Sequence, residues 1–283
     1  MPPIGYHIRI RLQDNRVILQ SDEQRRVLSR VVLHQGRLDG LLAFSLPDTH
    51  LHLEALCDQR AANRLSHRIE TSLKQRLNLP IGFVTYPHEP IRDQRHLSNT
   101  LHYVLTQHER HGLEVLSFLE ATNLPDLLGL RLIGRYTQDN EMRCLPRIRP
   151  ATLVEWVGLK GLLPANGPLT ALKEATLSAT ALSNLDARSQ PVLEARRAMV
   201  EVVGDRLRIA DLARHLGVTE RTVYRLRHRP ANHDLVRAIR LQLGMRQTLQ
   251  GQRAHGSALR VEGRHRSQGG RSASQAHRAC PSK

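Results

Sequence analysis

Aromatic residues are scarce in this chain: one Trp, five Tyr and three Phe among 283 residues. So few rings exclude an interior or a nucleic-acid platform built on aromatic stacking, and predict cores of Leu and Val. Cysteine is equally sparse. Cys57, Cys144 and Cys280 are odd in number and far apart, so neither a disulfide framework nor a C-x-x-C zinc site is readable, and free thiols are expected. No apolar run reaches the about 18 residues of a membrane span, and the opening Met1-Pro-Pro-Ile-Gly-Tyr-His7 lacks a basic region followed by an apolar core. A cytoplasmic protein without a membrane partner is therefore expected. Acidic residues are outnumbered: 26 Asp and Glu face 42 Lys and Arg, a net charge of +16. Such an excess repels itself unless it meets a polyanion, which makes nucleic acid the expected partner.

The length allows about two domains. Tyr6-His-Ile-Arg-Ile-Arg-Leu12 alternates apolar and polar residues as a half-buried strand does, and Ser21 can cap a helix from Asp22 to about Gln35, ended by Gly36 and Gly40. Leu41–Leu46 and His50–Leu56 read as strands joined by a short turn at Pro47-Asp-Thr49. Gln59–Leu77 reads as a second helix, Ile81–Tyr86 as a strand bracketed by Pro80 and Pro87, and Leu97–Leu113 as a third helix. The order β-α-β-β-α-β-α predicts an α+β, ferredoxin-like antiparallel sheet with helices over residues 1–116.

Within this region His50-Leu-His52 sits in the apolar run Leu41–Leu56. Residues two apart on a strand share a face, so two imidazoles lie side by side and can hold one metal ion. Sixteen His in the chain give about one H-x-H by chance, so the surroundings must decide. Tyr103 and Gln107, four apart on the expected third helix, place a phenol and a neutral amide oxygen on one wall. Two imidazoles and an amide carbonyl make a three-ligand site with room for water and a phosphate oxygen, beside a potential nucleophile. The alternatives are ordinary sheet-face histidines, a core tyrosine, and Glu54 in place of Gln107 as ligand, although structural duty suits Glu54 better. His102, His108 and His111 read as solvated helix-face residues.

Phe44-Ser-Leu-Pro-Asp-Thr-His50-Leu-His52-Leu53 resembles the His-hydrophobic-His (HUH) motif of the single-tyrosine transposases of the IS200-like and REP-associated type, and Tyr103-Val-Leu-Thr-Gln107-His-Glu-Arg-His-Gly-Leu113 resembles their nucleophile helix. The match covers about Gly5 to Leu116. It implies an HUH endonuclease-like catalytic domain in which His50, His52 and Gln107 hold a divalent ion, Mg²⁺ or Mn²⁺. It further implies that Tyr103 attacks single-stranded or hairpin DNA to form a 5′-phosphotyrosine during DNA transposition. Arg92 and Arg95, just before the nucleophile helix, are candidates for backbone phosphate contacts.

Residues 117–189 are interrupted by Pro125, Pro146, Pro150, Pro164 and Pro168 and read as a helical connecting segment. From Gln190 an apolar-periodic helix, Val192–Val203, precedes Ile209–Leu216, Gly217-Val218 and Thr219–Leu226. This is the pattern of an all-α helix-turn-helix domain, expected over 190–250. Gly217 permits the left-handed turn, Thr219 caps the next helix, Val223 and Leu226 pack inward, and Arg221, Arg225 and Arg227 are left for solvent or duplex DNA. From Gly251 apolar periodicity vanishes, and 251–283 is expected to be a disordered basic tail. The catalytic and duplex-binding parts are expected to work independently, as a monomer or a homodimer. Two other readings stand beside the transposase: a DNA-binding regulator whose catalytic part is vestigial, and a metal hydrolase that uses activated water.

Overall fold

The first strand follows its alternation. β1 (Gly5–Leu12) sends Tyr6, Ile8, Ile10 and Leu12 into one core and His7, Arg9 and Arg11 to the opposite face. The computed structural model describes residues 2–47 and 49–268, without the side chains of Thr85 and 253–268. α1 (Asp22–Gly36) starts where Ser21 accepts a hydrogen bond from the Gln24 N–H. β2 (Leu41–Ser45) and β3 (His50–Ala55) follow, and then α2 (Gln59–Arg76), whose Asp58 cap accepts from the Ala61 N–H at 2.7 Å. Leu28, Val32, Leu65 and Ile69 of the two helices meet Ile8, Ile10, Leu51 and Leu53 of the sheet in one Leu-, Ile- and Val-built core.

The expected fourth strand is shorter than its apolar run. β4 (Phe83–Thr85) pairs with Ile10–Leu12, and after a break at Pro87 a fifth strand that the pattern did not announce, β5 (Glu89–Ile91), pairs with Gly5–His7. Pro90 is tolerated there because this short strand runs along the sheet margin. The order is β2-β3-β1-β4, every pair antiparallel, with β5 sharing the outer edge of β1. Gly5 is required by the pairing: a Cβ there would lie 2.5 Å from the Ala55 carbonyl oxygen.

α3 (Gln94–Leu105), capped by Asp93, lays Leu97, Leu101 and Val104 over Leu42 and Ala43 on the face that carries the histidines. The single helix expected to Leu113 is corrected. The Thr106 hydroxyl donates back to the His102 carbonyl at 2.7 Å, the chain breaks at Thr106, and α4 (Gln107–His111) restarts before Gly112 ends it at φ 61°. Such back-bonding by Ser and Thr bends helices.

Residues 117–189, expected as a connecting segment, are part of the cores. α5 (Val115–Glu120), α6 (Leu124–Leu127), α7 (Arg135–Cys144) and α8 (Pro150–Glu155) enclose α3, with Leu119, Leu124, Leu127, Leu130 and Leu153 buried against it. Asn123 finishes the β2 edge: its amide donates to the Leu42 carbonyl and accepts from the Phe44 N–H, both at 2.8 Å. α9 (Leu169–Thr180) belongs to the third core, with α10 (Gln190–Val203), α11 (Ile209–Leu216), α12 (Glu220–Arg227) and α13 (His233–Gln268). The helices α5 to α8, of four to ten residues, carry little periodicity and are held by packing.

α13 joins the two halves. Val236, Ile239 and Leu243 lie in the helical core, whereas Met245 and Leu249 lie in the core beneath α3. Gln242 donates to the Leu130 carbonyl at 3.2 Å, and Arg246 ion-pairs with the buried Glu120. The two parts are therefore not the independent units expected. α13 also runs past Gly251 to Gln268, so the backbone of 251–268 is helical where a disordered tail was expected; residues 269–283 lie outside the described part. A helix already nucleated by packed turns gains one hydrogen bond with each further residue and needs no core beneath it.

Candidate functional site

β3 directs Leu51 and Leu53 into the core beneath α1 and α2, so His50 and His52 stand on the face that α3 partly covers. Their ring centroids are 4.5 Å apart. The β1–β3 register sets Arg11 opposite His50, Arg9 opposite His52 and His7 opposite Glu54. From that diagonal position His7 Nε2 lies 3.0 Å from His52 Nδ1, and His7 Nδ1 lies 3.5 Å from a Glu89 carboxylate oxygen on β5. His52 Nε2 is buried without a protein partner. Burial, with His50, His7 and Arg9 adding to it, pushes the His52 pKa down to about 2, and burial lowers that of His7 against the pull of Glu89. Both rings are thus held neutral, the form in which imidazole binds a metal.

Tyr103, on the last turn of α3, is half-buried and meets His52 edge-on with centroids 5.3 Å apart, and His7 at 5.8 Å. The Arg110 guanidinium lies over its ring at 4.7 Å. Gln107 is buried and its amide nitrogen donates to the Tyr103 carbonyl at 2.7 Å, so the two residues stay adjacent although the helix breaks between them. His111 sits 5.8 Å from His50.

Among the described residues no group of three or more His, Cys, Asp and Glu is placed to hold a metal ion. An ion here would rest on two imidazoles and an amide, completed by water or phosphate. The orphaned His52 Nε2 fits that donor set. Glu54 does not: fully buried, with both oxygens lacking protein partners, it is held neutral by desolvation, a poor state for a ligand.

Sequence reasoning missed His7, Arg110 and the pair Arg9 and Arg11, whose guanidiniums lie 5.5 and 5.2 Å from the Tyr86 ring on the same face, whereas His111, read as solvated, is exposed. Strand parity was the available signal, since His7, Arg9 and Arg11 alternate with the β1 core residues. His108, expected to be solvated, is buried against Phe118 at 5.0 Å, whereas His102 is exposed beside Trp156 at 4.8 Å. Arg92 and Arg95 are exposed at the start of α3. Arg95 precedes Tyr103 by eight residues, about 12 Å along the axis, so the pair sits at the far end of that helix.

In the C-terminal part Gly217 takes φ 62° between α11 and α12, and Thr219 accepts from the Thr222 N–H. Val223 and Leu226 are buried, and Arg221 and Arg225 are exposed. Arg227 is corrected: it turns back to the end of α10, donating to the Gly204 carbonyl at 2.7 Å and meeting Asp205 at 3.2 Å. The negative end of a helix attracts such a cation. Tyr224, 51% exposed between Arg221 and Arg225, takes a place on the recognition helix that the sequence reading gave to arginine alone.

Residues 191–237 match the homeodomain-like domain family, over α10, α11, α12 and the first turn of α13. This part of the chain is a helix-turn-helix domain, and the match implies DNA binding. No curated protein and no solved structure matches the chain. Among the described residues no helix is long and apolar enough to cross a membrane.

Proposed function

We propose that this chain is a single-tyrosine DNA transesterase of the HUH type, a transposase-like enzyme that breaks and rejoins single-stranded or hairpin DNA and is anchored to duplex by its helix-turn-helix domain. The observation that carries the reading is Tyr103 packed against His52 at 5.3 Å, on the face where His50 and His52 stand 4.5 Å apart. The strand order β2-β3-β1-β4 is that of a β-α-β-β-α-β ferredoxin-like sheet and supports it. His50, His52 and Gln107 would hold a divalent ion, Mg²⁺ or Mn²⁺, which when bound supplies Lewis-acid polarisation of a phosphate oxygen.

The Tyr103 phenolic oxygen attacks the phosphorus and loses its proton to solvent. The bond from phosphorus to the 3′-oxygen breaks, and that oxygen takes up a proton to leave a free 3′-hydroxyl and a 5′-phosphotyrosine. Another 3′-hydroxyl displaces Tyr103 by the reverse step, so joining needs no nucleotide cofactor. Arg110 over the Tyr103 ring adds positive charge beside the incoming phosphate.

Incubation with labelled hairpin oligonucleotides and Mn²⁺, followed by denaturing electrophoresis, tests this. An SDS-resistant adduct is expected from the wild type and none from Tyr103→Phe, His50→Ala or His52→Ala, all of which still bind DNA. Cleavage that survives Tyr103→Phe would assign a metal-activated water in place of tyrosine. The second reading, a regulator that acts through the helix-turn-helix alone, is favoured by the family match over 191–237; duplex binding without any adduct would establish it.

A further inference from the structure

On the reading of His50 and His52 as metal ligands, we infer that Glu89 and His7 are positioning residues that fix His52 in the one tautomer able to present Nε2 to a metal ion. A carboxylate only accepts hydrogen bonds, so the His7 nitrogen facing Glu89, Nδ1 at 3.5 Å, carries the hydrogen. A neutral His7 then has a bare Nε2, which must accept. The partner 3.0 Å away, His52 Nδ1, is therefore the donor, and a neutral His52 is left with its lone pair on Nε2. That nitrogen is the buried atom with no protein partner.

The opposite tautomer is penalised twice. It buries an N–H with nothing to receive it and turns the His7 Nδ1 lone pair toward a carboxylate. The sheet builds the relay: β5 sets Glu89 directly opposite His7, and the β1–β3 register sets His7 diagonally beside His52. Ligating histidines are commonly oriented by a carboxylate or carbonyl at the second ring nitrogen; here a histidine stands between the carboxylate and the ligand.

Histidine ¹⁵N NMR on the metal-free full chain reads the tautomer, and Co²⁺ titration followed by visible absorption reads affinity. Wild-type His52 is expected to carry its hydrogen on Nδ1. His7→Phe, which fills the space without an acceptor, is expected to lose that preference and to bind Co²⁺ about 10- to 100-fold more weakly. His7→Gln, whose amide oxygen can accept, recovers most of both. Glu89→Ala, at an exposed position where folding is not at stake, weakens Co²⁺ binding by about three- to tenfold. Hydrogen on Nε2 of wild-type His52, or Co²⁺ affinity unchanged in both His7→Phe and Glu89→Ala, overturns the relay. A wild type with the expected tautomer that binds no Co²⁺ overturns the metal reading itself, and with it the role given to Glu89 and His7.

Discussion

Three arginines on one helix ought to behave alike toward DNA if sequence position decided their role, and the structure says they do not. Arg221 and Arg225 are exposed, whereas the Arg227 side chain is 25% exposed and held on the Gly204 carbonyl. Each phosphate contact releases about 0.9 counterion, so an arginine that makes one contributes about 0.9 to the slope of log affinity against log salt. Between about 50 and 200 mM salt, that is a factor of about 3.5 in binding per contact. Arg221→Ala and Arg225→Ala should each flatten the slope by that amount. Arg227→Ala should leave the slope unchanged and destabilise the fold by about 1 kcal/mol, the worth of a partly screened charged hydrogen bond, seen as a melting shift of about 2–4 °C. Fluorescence anisotropy on a duplex oligonucleotide across a salt series, with thermal melts of the same proteins, measures both. A slope lowered by Arg227→Ala as much as by the other two would refute the reasoning, as would unchanged slopes in both Arg221→Ala and Arg225→Ala.

Two further outcomes follow from buried charge. Arg131 and Asp126 are an almost fully buried ion pair, so Arg131→Met strands the carboxyl and should cost about 3–5 kcal/mol in urea unfolding, whereas the double variant Arg131→Met with Asp126→Asn should regain more than half; a double variant as weak as the sum of the singles would contradict this. Glu141 is buried and its pKa is raised from 4.5 to about 7 by desolvation. The folded state therefore holds this proton more tightly than the unfolded chain, and its contribution, up to about 3 kcal/mol, is full below about pH 4.5 and lost as pH rises through about 7. Glu141→Gln should remove that part of the slope, and identical pH profiles for the two proteins would show the group to be irrelevant.

Local patterns were legible where one element sufficed to define them. The alternation of β1, the caps at Ser21 and Thr219 and the left-handed Gly217 each express a rule that acts within a few residues. The proximity of His50 to His52 is likewise a strand property. His7 escaped because its part in the site depends on strand pairing across 45 residues, which no local spacing encodes. The helix break escaped because a Thr hydroxyl bonded to the carbonyl four residues back bends a helix without having to end it, so Thr106 alone does not mark the break. The direction of Arg227 is not legible locally because it is decided by the end of α10, 23 residues earlier. Of the short helices from α5 to α8, only the stretch around α8 carries a readable helical patch, Ala151–Leu159; the others, of four to ten residues, take their stability from partners distant in sequence.

The passage of α13 through both cores bears on how such a protein can be rearranged. From Val236 to Leu249 is fourteen residues of unbroken helix, spanning about 20 Å, with one end in the DNA-binding core and the other beneath α3. A recombination event that grafted a different DNA-reading head onto this chain would have to cut inside that rod and rebuild two interiors at once. Exchange of specificity by shuffling is thereby discouraged, and change has to come through substitutions on the exposed face of α12, where Arg221, Tyr224 and Arg225 stand clear of every core.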